Sequence, residues 1–189
     1  MLRDLIKKSR SYRRFNQEVE ISEETLRELV DLARLSPSGA NRQPLKFITI
    51  ADREINAELF ECLAWAGYLK DWDGPAEGER PSAYIIILCD TEIRDDSPVD
   101  EGIAAQSMML GAVEKGLGGC MLGAINRKRI REILDVPDRY KILLVLALGE
   151  PSETVVIDEV GEDGDIKYWR DDEGVHHVPK RTLDELILS

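Results

Sequence analysis

Arg10-Ser11-Tyr12-Arg13-Arg14-Phe15, and further on Ser36-Pro37-Ser38-Gly39-Ala40-Asn41-Arg42-Gln43-Pro44, are the stretches on which the reading of this chain turns. The first packs guanidiniums together in a chain whose formal net charge is -12. Guanidinium forks match phosphate geometry, so such a cluster asks for an anionic partner. The second is rich in turn formers and neutral hydrogen-bonding groups. Together they suggest a small ligand with a phosphate at one end and a polar ring at the other. Taken singly, each has a plainer reading: a solvated basic face for the first, a helix terminator for the second.

Outward from these segments the pattern is mixed. Residues 2–9 read as a short packed helix. Ser22 is a good N-cap, Glu23 and Glu24 suit the positive helix end, and Leu26, Leu29, Val30 and Ala33 recur at helical spacing. Residues 45–51 read as a strand, and 53 to about 70 as a helix carrying Leu59, Phe60 and Leu63. Gly74, Pro75, Gly78 and Pro81 mark a loop. Residues 83–89 and 142–148 are continuous apolar runs, the pattern of strands buried on both faces. Ser97-Pro98-Val99-Asp100 resembles a capping box, with proline at the first position of a helix running to Lys115. That helix is apolar around most of its circumference and is expected to pack against a second subunit. Residues 116–123 are glycine-rich and apolar, a turn with room for a short strand. Residues 127–134 follow as a helix.

After Pro151 the chain turns acidic and too polar for a core of its own. This tail has strand-like fragments at 166–169 and 176–178, and Thr182 can cap a last helix over 183–188. Helices alternating with a few strands give an α+β or α/β fold with one core, and a single domain over 1–189 is expected.

Composition excludes several classes. Hydrophobic residues make up 43% and charged residues 33% of the 189, an ordinary globular mix. The acidic balance argues against nucleic acid or an anionic membrane as partner. Cys62, Cys89 and Cys120 are odd in number and far apart, as expected of reduced thiols in the cytoplasm. No early apolar run is long enough for a membrane span or a secretory leader. His176 and His177 would point to opposite faces of a strand, and the cysteines lack ligand spacing, so no metal site is expected. Neither a nucleophile elbow nor a P-loop is present, and no catalytic side chain is nominated.

Set in order along the chain, three segments resemble the nitroreductase family of flavoproteins. The arginine segment is similar to the family's R-S-x-R-x-F opening. The 36–44 segment is similar to its A-P-S-x-x-N-x-Q-P loop, the most specific of the three. Residues 116–123, the helix after them, the 142–148 strand and Gly149-Glu150-Pro151 are similar to its second half. The likeness is weakest at 65–81 and 155–172.

The resemblance implies a nitroreductase-like α+β fold: a central, mostly antiparallel sheet surrounded by helices, in an intertwined homodimer. It implies FMN as cofactor and NADH or NADPH as hydride donor, with nitroaromatics, quinones or similar small acceptors reduced in a ping-pong cycle. Arg10 and Ser11 match positions that hold the FMN phosphate and ribityl chain, and Arg13 the basic position at the pyrimidine edge. Pro37, Ser38, Gly39, Asn41 and Gln43 match the loop touching the flavin, contributed in part by the other subunit. Leu122 and Gly123 match the backbone near flavin N5. Arg181, with Lys180, matches the C-terminal basic pair at the phosphate, so residues 151–189 would complete both dimer and site. Arg14 gains no role and is expected at the surface.

Three positions depart from the family pattern. Ser9 stands where many relatives have arginine, Leu45 where tryptophan is common, and Leu122 where glutamate is common, which would make the substrate face more apolar. The two leucines leave open a flavin-binding protein without turnover: a store, sensor or donor. The segment Trp65 to Trp72 is expected either to cover the pocket or to lie in core or interface.

Overall fold

The computed structural model describes residues 1–95 and 99–188. In chain order the elements are α1 (Leu2–Lys8), β1 (Phe15–Asn16), α2 (Glu23–Leu35), a 3-10 turn (Gly39–Asn41), β2 (Leu45–Ile50), α3 (Arg53–Phe60), β3 (Ala83–Asp90), α4 (Asp100–Glu114), β4 (Gly118–Leu122), α5 (Arg127–Ile133), β5 (Tyr140–Pro151), β6 (Val155–Glu159), β7 (Trp169–Arg170), β8 (His176–Lys180) and α6 (Leu183–Leu186).

β3 buries every one of its residues, which is why its sequence shows no polar alternation. It pairs antiparallel with β2 on one side and β5 on the other, and the long β5 also carries β4 and, at its C-terminal end, β1. Successive side chains of β3 leave on opposite faces, so the sheet builds two cores. Ala83, Ile85 and Ile87 meet Leu26, Leu29, Ala104, Met108 and Ala112 from α2 and α4. Tyr84, Ile86 and Leu88 meet Leu59 of α3, Ile130 of α5 and Trp65. The expected α+β fold with an antiparallel sheet between helices is what forms.

Caps set several helix starts. Ser22 Oγ accepts from the Thr25 N–H, Asp52 Oδ1 from Glu54 and Ile55, and Asn126 Oδ1 from Arg129. Ser97 and Pro98, expected to open the fourth helix, lie outside the described residues, and α4 is described from Asp100. Thr182 and Glu185 form the box that starts α6.

Several expectations need correction. The helix expected over 53–70 stops at Phe60, because Leu63 forms an antiparallel bridge with Ile125 and Ala66 takes a left-handed φ of 41°. Of the two places open to Trp65, the structure takes the core, beside Phe60. α1 buries none of its residues, and Leu2 and Ile6 face solvent. The polar tail orders itself as a second sheet in which β8 pairs parallel with β6 and antiparallel with β7. β6 was not foreseen: its apolar residues Val155, Val156 and Ile157 are too few to read against their acidic surroundings. No helix among the described residues is long and apolar enough to cross a membrane.

Candidate ligand site

The arginine segment is laid onto the sheet by two glycines. Tyr12 N–H donates to the Gly119 carbonyl at 2.9 Å, and Ser11 bridges Gly119 in parallel register. A Cβ on Gly118 would stand 2.5 Å from Tyr12 Cδ2 and 2.7 Å from Pro151 Cγ, so only glycine admits the Tyr12 ring there. The close approach expected of this glycine-rich run is therefore to the chain's own N-terminal segment.

Once docked, Ser11 and Arg13 lie between β4 and the tail sheet. Glu153 fixes them from behind. Its Oε1 accepts from the backbone N–H groups of Arg13 and Arg14, and its Oε2 from Arg170 at 2.8 Å. Arg170 in turn lies 4.3 Å over the Trp72 ring. Arg14 is not a free surface residue: it is half-buried, it pairs with Glu79 at 3.4 Å, and it lies 5.9 Å from the Trp72 centroid.

The result is a cavity of about 300 Å³ whose lining includes Arg10, Ser11, Arg13, Gln106, Met121, Tyr168, His176 and Lys180. Four residues singled out in the sequence thus converge: Arg10, Ser11, Arg13 and Lys180. Arg13 is only 8% exposed, yet its Nε, like that of Arg10, is buried without a hydrogen-bond partner among the described residues. Arg10 Nη2 donates to the Ile6 carbonyl at 2.7 Å, which holds its head at the end of α1. Arg181 is not part of the lining: it turns to Glu185 at 3.5 Å. The alternation of β8 explains the split, since His176, Val178 and Lys180 share the pocket face.

Leu122 and Gly123 are not lining residues either. The Leu122 side chain lies in the core on the far face of β4, so its identity leaves the cavity wall unchanged, and Met121 is the residue facing the cavity.

Gln106, Met121, Tyr168 and His176 escaped the sequence reading as cavity residues, and the last two engage Arg13. His176 is fully buried, and its Nε2 lies 3.1 Å from Arg13 Nη1. Burial, then the nearby Arg13 and Arg170 charges, push it down to about 4. Tyr168 places its ring 4.6 Å from Arg13 Cζ. Neither belongs to a recognisable motif; the one available signal was the alternating phase of His176 with Val178 and Lys180. As expected, His177 takes the other face, stacked on Trp169 at 4.1 Å and held by Asp158 and Asp171.

The 37–43 loop stands apart. It borders a second cleft of about 320 Å³ with Leu45, Asp100 and Ala104. Ser38 Oγ donates to Asp100 Oδ2 at 2.6 Å, the Gly39 N–H donates to Oδ1 at 3.0 Å, and the Gln43 N–H donates to Ser38 Oγ. Ala40, Asn41 and Gln43 all have left-handed φ, near 50°. Asp100, buried in the first turn of α4, pins this strained turn. Asn41 and Gln43 remain exposed, and the Gln43 side chain donates through Nε2 to the carbonyl and Oδ1 of Asn41.

The family model described as "Nitroreductase family" matches residues 6–150. The chain belongs to the nitroreductase family. An FMN-dependent nitroreductase from Clostridium difficile is 30% identical, covering 79% of this chain and 87% of its own, with a TM-score of 0.66. An NADPH-dependent oxidoreductase of Staphylococcus aureus is 29% identical over 167 residues, 79% of this chain and 64% of that protein. A nitroreductase family protein from Streptococcus pneumoniae covers both chains fully, with a TM-score of 0.73 at 18% identity, a likeness of fold. The nitroreductase match stops at residue 150, so Lys180, His176 and Tyr168 come from a segment beyond it.

Proposed function

We propose that this nitroreductase binds FMN and passes hydride from NADH or NADPH to a nitroaromatic, quinone or similar small acceptor, in a ping-pong cycle. The observation that carries the reading is the cavity where Arg10, Ser11, Arg13 and Lys180 converge, three cations gathered in a chain whose formal net charge is -12. Guanidinium and ammonium groups converging on one cavity suit an acceptor-rich anion.

Arg10 and Lys180 would hold the phosphate dianion, with Ser11 on the ribityl chain. Arg13 would face the pyrimidine edge and favour its electron-rich form by charge. When bound, FMN supplies the hydride chemistry. The chain's own task is then to bind, orient and polarise, with no side chain acting as nucleophile.

The Asn41 and Gln43 loop borders a different cleft of the same chain. In our reading it serves the cavity of a second copy, giving a homodimer with two composite sites. Leu2 and Ile6 on α1, and Leu183, Leu186, Ile187 and Leu188 at the C-terminus, are exposed apolar groups that such a partner would cover. A cytoplasmic setting fits the cysteines, all three free and buried. The alternative of flavin binding without turnover loses half its motive, because Leu122 does not reach the cavity.

The test is the visible spectrum of the purified protein before and after anaerobic NADH or NADPH. Flavin absorption that bleaches and returns on addition of an acceptor is expected. Failure to bind added FMN would remove this function.

A further inference from the structure

Among the described residues, the Arg13 guanidinium is held by neutral groups. Nη1 donates to the Ser11 carbonyl at 3.2 Å and lies 3.1 Å from His176 Nε2, while the Tyr168 ring covers Cζ at 4.6 Å. The neighbouring carboxylate, Glu153, is turned to Arg170 and to backbone N–H groups.

A guanidinium has donors and no acceptor, so Nε2 must accept from Arg13 and the ring proton must sit on Nδ1. The cations Arg13 and Arg170 and the burial of the ring oppose an imidazolium, in agreement with its low value of about 4. Nδ1 is buried without a partner among the described residues, and the ring lines the same cavity as Arg13. A carboxylate in place of His176 would hold Arg13 as firmly but offset its charge. An aliphatic side chain would leave the charge but release the guanidinium. The imidazole does neither.

We propose that His176 is a positioning residue: as the Nδ1–H tautomer it fixes Arg13 through Nε2 without neutralising it. The cavity wall then keeps a full cation for the acceptor edge of an anionic, planar ligand. The identity of that ligand as FMN rests on the function proposed above; the Arg13–His176 relation does not.

Two measurements separate the claims. In the flavin-free protein, ¹⁵N NMR of the His176 ring is expected to show the Nδ1–H tautomer at pH 7, and a shift toward a tautomer mixture in Arg13→Ala. An Nε2–H ring, or a ring indifferent to Arg13→Ala, overturns the inference whether or not FMN binds. In the FMN-loaded protein, His176→Glu is expected to lower the ratio of reduced to oxidised flavin affinity about tenfold, which is about 30 mV for a two-electron couple. His176→Gln, a neutral acceptor, should stay near wild type. Equal potentials for the Glu and Gln variants also overturn it. Should the Glu variant not fold, His176→Leu takes its place; a broadened Arg13 guanidinium signal restored by Gln is expected, and a signal as sharp as wild type in Leu overturns the inference.

Discussion

Glu153 and Arg170 pair at 2.8 Å with side chains only 2% and 12% exposed. Because the same carboxylate also accepts from the N–H groups of Arg13 and Arg14, it ties the tail sheet to the arginine segment. Glu153→Gln is therefore expected to destabilise the protein by about 3–5 kcal/mol, the cost of leaving a buried guanidinium without its counter-charge. Arg170→Met should cost a similar amount, and the double variant less than the sum of the two. Urea unfolding of the four proteins checks this; strict additivity would show that the pair carries no coupling.

The two adjacent histidines respond to pH with opposite sign. His176 is depressed from 6.5 to about 4, so the unfolded chain takes its proton first and stability falls as pH drops through that window, by about 1–3 kcal/mol. Burial works against charge at His177 too, but Asp158 and Asp171 outweigh it and raise the group. Its contribution is complete below the unfolded value and is lost as pH rises through the folded one. Between pH 7 and pH 4, wild type should lose more stability than His176→Gln, measured as urea midpoints on common carboxylate backgrounds.

Gly118→Ala should act on the ligand cavity without lining it. Its methyl group meets the Tyr12 ring, which must lift, and Ser11 and Arg13 with it. A loss of about 1–3 kcal/mol in stability is expected, of the order seen for overpacking, together with weakened FMN binding. Normal affinity in a destabilised variant would show that the segment adjusts independently of Tyr12.

Arg10→Ala should cost about 1.5–3 kcal/mol of FMN affinity, a charge-assisted contact. Arg181→Ala should cost less, because Arg181 turns to Glu185. Fluorescence titration with FMN ranks them, and the reverse order would place Arg181 in the site of the assembled protein.

Asp100→Ala removes both acceptors that hold Ser38 and Gly39. The 37–43 loop is expected to become the first site of limited proteolysis, and flavin affinity to fall if the loop serves a partner's cavity.

What the sequence made legible follows from local rules. The fully apolar β3 and the capped α2 are dictated by near neighbours, and both form as read. Arg10, Ser11, Arg13 and Lys180, which converge on one cavity, were singled out because they match motif positions of a family, Lys180 only as the companion of Arg181. His176, Tyr168 and Glu153 were not, because their roles arise from pairings between the tail and residues 10–14. Nor can a single position such as Leu122 announce which face of a strand it takes: β4 is too glycine-rich for alternation to show. α3 was overextended because its apolar pattern continues into Cys62 and Leu63, which pack as an irregular segment.

The boundary of the family match has a structural counterpart. Residues up to 150 supply the sheet, its two cores and two of the cavity's cations, Arg10 and Arg13. The segment after it supplies the wall those cations face, hung on the frame by Glu153 and by little of the sheet's hydrogen bonding. Exchanging residues on β8 would therefore retune the electrostatic climate of the cavity without touching the two cores of the main sheet.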